Sequence, residues 1–139
     1  MRIVVLLIPL LGWLVLSGQD RQPAIQKVPL SPTSIDSGKQ MFTHYCAACH
    51  GPSGKGDGPA AASFKKAPRD LTRLAHDNGG KYPSAHVTAT LSLDECCVHG
   101  SKVMPVWGPL LSSVSGGSQA ELQLRISNLV KYIETLQAP

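Results

Sequence analysis

Large aromatic side chains are scarce in this chain: two Phe, three Tyr and two Trp make up 5% of its 139 residues. That is thin for a core at a length that fits one domain, since domains commonly run to about 100–150 residues. It leaves room for flat apolar mass supplied from outside the polypeptide. Charge is sparse too, at 16% of residues with a formal net charge of +4. No run of five basic residues occurs, and basic residues do not interleave with aromatics, which argues against a nucleic-acid partner. The glycine-rich stretch from Gly51 to Pro59 lacks the closing Lys-Ser/Thr of a phosphate-binding Walker loop. Nor is there an unbroken apolar run of the roughly 20 residues that a membrane-crossing helix needs.

The longest apolar stretch, Ile3 to Leu16, follows Arg2, is interrupted by Pro9 and Gly12, and ends at Ser17-Gly18. A basic start, a short apolar run and small residues before polar sequence make the pattern of a secretory signal peptide. Residues 1–18 are therefore expected to direct export and be cleaved. The alternative is a short membrane anchor through residues 3–16, because Val15 and Leu16 make an imperfect cleavage site. Either way the protein is expected outside the cytoplasm, in a periplasm or held at the outer face of the inner membrane. Residues 19–33, with Pro23, Pro29 and Pro32, read as a linker. Residues 34–138 read as the folded domain.

The residues that carry chemistry are Cys46-Ala47-Ala48-Cys49-His50. Two cysteines separated by two residues, with histidine directly after the second, form the attachment pattern for a c-type haem. Each thiol can add to one porphyrin vinyl group, and the imidazole of His50 can then reach the iron from one face. A zinc or dithiol reading of Cys46 and Cys49 is the rival without haem.

Around this motif the pattern predicts a mostly α chain. A helix is expected from Thr33 or Ser34, with Thr33 and Asp36 as a capping box and Ile35, Met41, Phe42 and Tyr45 on one face. It should run into the haem motif. Gly38 lies inside it at a cost of about 1 kcal/mol relative to Ala, which points to a close backbone approach by another element. Short helices are expected at Leu71 to Asp77 and at Pro83 to Leu93, the latter with proline at its first position. Residues 99–117 show no helical period. The last helix is the clearest: Ser118 and Glu121 form a capping box, and Leu122, Ile126, Leu129, Val130, Ile133 and Leu136 recur at helical spacing.

The partner on the other face of the iron decides the chemistry. Met104 is the leading candidate, in Lys102-Val103-Met104-Pro105-Val106-Trp107-Gly108-Pro109. A thioether is a soft, uncharged donor, and His/Met ligation raises the reduction potential. Pro105 and Pro109 restrict the loop, and Val103, Val106, Trp107 and Leu110 offer an apolar cover, with Trp107 a candidate pocket residue. The bland alternative is a methionine filling a core gap. Among rivals, Met41 and His44 lie on the helix entering the motif and cannot readily cross to the far face. His76 and His86 read as surface residues, and His99 is the serious competitor.

On these residues the chain resembles a bacterial class I c-type cytochrome, over roughly Ser34 to Gln137. Gly38 and Phe42 stand eight and four residues before Cys46. In that family such positions belong to an N-terminal helix that crosses the C-terminal helix through a glycine, and Tyr132 resembles the aromatic residue across the contact. Gly58-Pro59 resembles the family's Gly-Pro pair, whose proline carbonyl accepts a hydrogen bond from the proximal imidazole. By that likeness Pro59 would orient His50.

The resemblance implies a cytochrome c-like fold, with crossing terminal helices and short helices and loops enclosing one covalently attached haem c. It implies one-electron transfer between periplasmic or membrane redox partners, and an electron carrier rather than an enzyme. Two alternatives are a haem c subunit or domain of a larger respiratory or dehydrogenase complex, and a haem enzyme or sensor with a displaceable sixth ligand. Lys39, Lys55, Lys65, Lys66, Arg69, Lys81 and Lys102 would suit acidic docking surfaces on redox partners, or would form an ordinary solvated surface. Cys96-Cys97 departs from the family pattern. It reads as two buried thiols, a strained vicinal disulfide, or a redox or metal pair with His99.

Overall fold

The computed structural model describes residues 30–92 and 104–139. The expectations placed on residues 1–29, on Cys96, Cys97 and His99, and on Lys102 and Val103 lie outside them. Among the described residues the secondary structure is entirely helical, with no strand. No helix there is long and apolar enough to cross a membrane.

The first helical run has three parts: α1 at Gly38–Met41, a π-helical stretch at Phe42–Cys46, and α2 at Ala47–His50. Its start is later than the sequence suggested. Ser37 is the cap, its side chain accepting from the Gln40 N–H at 3.1 Å. Thr33 is no cap: it is buried, and its hydroxyl is engaged by Tyr45. The widened turn is marked by the Ala47 N–H reaching back five residues to the Phe42 carbonyl. Such single π turns are often found at functional sites, and this one leads directly into the cysteine pair. Met41, Phe42 and Tyr45 are buried, as their spacing predicts.

Two short elements follow the motif loop: a 3₁₀ turn at Leu71–Arg73 continuing as α3 at Leu74–Asp77. Next comes α4 at Ser84–Ser92, with Pro83 immediately before it. The stretch predicted to lack helix contains one, α5 at Trp107–Val114. Pro109 had concealed it. At the third helical position its missing N–H removes no bond, since the first-turn N–H groups have no intrahelical acceptor.

The final helix, α6 at Gln119–Thr135, organises the rest. Ser118 caps it by accepting from the Glu121 N–H at 3.3 Å, as the capping box predicts. Ser118→Ala should cost about 1 kcal/mol, measured by chemical denaturation; an unchanged midpoint would mean that the cap does not bear on stability. Leu122, Ile126, Leu129, Val130 and Ile133 form its buried stripe, with Leu136 half-buried beyond. α1 crosses it at Gly38. A side chain there would place its Cβ 2.8 Å from the Tyr132 Cβ and closer still to the Asn128 carbonyl oxygen. The Phe42 ring meets Tyr132 at 5.4 Å between centroids, tilted by 54°. Glycine at this position is therefore required by the approach of two backbones.

Residues ahead of α1 are tied to this crossing. Leu30 packs on the core, and Arg125 of α6, itself buried, donates to the Thr33 carbonyl at 2.9 Å. The same guanidinium reaches the Thr33 hydroxyl and Ser115 Oγ, both at 3.2 Å. Tyr45 in turn donates to the Ser31 carbonyl at 2.7 Å. A buried cation needs such partners, since an unbonded polar group inside costs free energy.

Candidate functional site

The helical run ends at His50 because Gly51 follows it with φ at 76°, a conformation open to glycine, and its N–H closes on the Ala47 carbonyl. Cys46 is buried in the core and Cys49 is half-buried, both unbridged. Burial, reinforced by the neighbouring Cys49, pushes the Cys46 thiol up to about 12. Among the described residues no three His, Cys, Asp or Glu side chains converge as a protein-built metal site would need.

The His50 ring is fixed from behind. Its Nδ1 lies 2.9 Å from the Arg69 carbonyl oxygen. A carbonyl only accepts, so Nδ1 carries the proton and Nε2 keeps its lone pair free for a metal. Burial lowers the pKa of His50, partly offset by that same hydrogen bond, and so favours the neutral ring. Pro59 does not hold this position, contrary to the expectation drawn from Gly58-Pro59. That segment sits beneath the carboxyl end of the motif helix, where the Gly58 and Ala60 N–H groups donate to the Cys49 and Ala48 carbonyls. Pro59 itself is exposed. No side-chain pattern marked Arg69, because the acceptor is its main-chain carbonyl.

This loop is folded back on the motif by main-chain bonds. Gly56 N–H donates to the His50 carbonyl at 2.8 Å, and Leu71 N–H to the Gly54 carbonyl at 2.7 Å. Met104 is half-buried and packs against the same core cluster that holds Cys46. Trp107, at the start of α5, is buried and lies 5.8 Å from the Tyr45 ring, adjacent in sequence to Cys46. The fold thus brings Cys46, Met104 and Trp107 onto one cluster. His44, His76 and His86 are exposed, and Met41 is fully buried beneath α6 with its sulfur beside Arg125.

No curated protein and no solved structure gives a match to the chain. Residues 33–115 match the family model described as Cytochrome C oxidase, cbb3-type, subunit III. The match covers the motif helix, the returning loop and the segment bearing Met104. The all-helical fold and the Cys-x-x-Cys-His motif agree with it, and the chain belongs to this family of c-type cytochrome domains, which carry electrons on covalently bound haem c.

Proposed function

We propose that this protein is a single-haem electron carrier in which Cys46 and Cys49 hold haem c through thioether bonds and His50 and Met104 ligate its iron. The observation that carries the reading is the Nδ1 hydrogen bond of His50 to the Arg69 carbonyl, which leaves Nε2 as the free donor. The residues present fit the group: two unbridged thiols on one helical run, a neutral imidazole, and a soft thioether packed on the same core. Bound haem would supply a one-electron ferrous–ferric couple. The chain's own share would be attachment through Cys46 and Cys49, ligation by His50 and Met104, and exclusion of water by Trp107, Val106 and their neighbours. The exposed Lys39, Lys55, Lys65, Lys66, Arg69 and Lys81 suit encounter with acidic redox partners, where charge complementarity raises the association rate. Export by residues 1–18, to a periplasm or to the outer face of the inner membrane, belongs to the same reading.

The family match favours one further placement, as the haem c subunit or domain of a larger respiratory oxidase. Co-purification from native membranes separates the two: a free carrier runs at its own mass, a subunit with its complex. The haem assignment itself is tested by intact mass and a pyridine haemochrome spectrum after denaturation. We expect one haem to stay with each chain, and to be lost when Cys46 and Cys49 are both replaced by Ala. A denatured chain at the bare polypeptide mass would return the cysteines to zinc or dithiol chemistry.

A further inference from the structure

We propose that Gln137, beyond the end of α6, is a positioning residue for the proximal histidine. The inference rests on the reading of His50 as an iron ligand. The Gln137 side-chain amide makes three hydrogen bonds. Nε2 donates to the Leu71 carbonyl at 2.8 Å and to the Ile133 carbonyl at 2.9 Å, while Oε1 accepts from the Ala75 N–H at 2.8 Å. One residue on, the Ala138 N–H donates to the Thr72 carbonyl at 2.9 Å. The last helix is thereby fastened to Leu71–Ala75, the segment that begins two residues after Arg69.

The Arg69 carbonyl consequently lies two residues ahead of a doubly held residue. The Leu71 N–H donates to the Gly54 carbonyl of the motif loop, and the Leu71 carbonyl accepts from Gln137. Asp70, which joins Arg69 to Leu71, stiffens that link by accepting from the Thr72 N–H at 2.9 Å and hydroxyl at 2.7 Å. The Arg69 side chain cannot do this alone. Its ion pair with Asp77 is 3.1 Å long, but the two side chains are 60% and 39% exposed, and such pairs contribute little.

The hydrogen bond to the ring's far nitrogen raises the basicity of a metal-bound histidine. A more basic ligand favours ferric iron. Loosening the Arg69 carbonyl should therefore shift the couple toward the ferrous form and raise the reduction potential.

The test uses the haem-loaded protein, with Gln137→Ala set against Val130→Ala, a core truncation in the same helix that leaves the Gln137 bonds in place. Gln137→Ala should move the ferrous–ferric equilibrium about three- to tenfold toward ferrous, the upper figure being 59 mV for a one-electron couple. It should also speed exchange of the His50 Nδ1 proton, followed by NMR in the reduced state. Val130→Ala should lose stability and do neither. An unchanged potential in Gln137→Ala, or equal shifts in both variants, would reduce Gln137 to a structural tether. Failure of the parent chain to attach haem would overturn the underlying reading as well, and is seen by mass before any potential is measured.

Discussion

Gly38→Ala should lower the stability of the folded protein by about 2 kcal/mol. Adding bulk to a packed interior commonly costs about 1–3 kcal/mol, and here the added carbon meets main chain of α6, which cannot rotate away. Alanine recovers about 1 kcal/mol as a better helix former, but that gain is smaller than the strain of moving two crossing helices apart. At about 4–8 °C for each kcal/mol in a domain near this size, the melting temperature should fall by roughly 10 °C. Thermal unfolding of the haem-loaded protein checks this against Lys39→Ala, an exposed neighbour that should stay within about 0.5 kcal/mol of the parent. If Gly38→Ala melts with the parent, α1 and α6 do not touch at that residue.

Met104→Ala should convert a closed iron site into an open one. With His50 and Met104 both in place, the reduced protein should resist carbon monoxide under native conditions. The alanine variant should bind it stoichiometrically, with a changed spectrum. Its potential should also fall, because the thioether that favours ferrous iron is gone. Rapid, tight carbon monoxide binding by the parent would instead favour an enzyme or sensor with a displaceable ligand. An unaltered spectrum in Met104→Ala would remove Met104 from the iron altogether.

Features legible in the sequence were those with one local cause. Ser118 and Glu121 announced the start of α6, and a glycine costly inside a helix announced the crossing at Gly38. The cysteine spacing and His50 announced the chemistry. Where several causes compete, reading along the chain went astray. Thr33 and Asp36 have the spacing of a cap, but Thr33 is drawn inward by Arg125, 92 residues away. Pro109 looked like a breaker because its position within a first turn is visible only once the turn is drawn. Pro59 was expected to hold His50 because a Gly-Pro pair is a visible pattern of residue types, whereas the acceptor found there is the main-chain carbonyl of Arg69, which any residue could supply. The same holds for Gln137, whose polar side chain near a terminus gives no hint of the three partners it joins.

The contacts of α6 also bear on when this protein can fold. Arg125 to Thr33 and Asn128 to Ile35 close loops of 92 and 93 residues, so the two ends of the domain meet only after the last helix has been made. Closing such a loop costs about 4 kcal/mol in chain entropy beyond the constant part, and it must precede the burial that offsets it. Until then the side chain of Cys46, later shut within the core, stays accessible, as the attachment of haem proposed for it would require. A chain whose first and last helices were neighbours in sequence would close over Cys46 early in synthesis; this one keeps it open until α6 has been made.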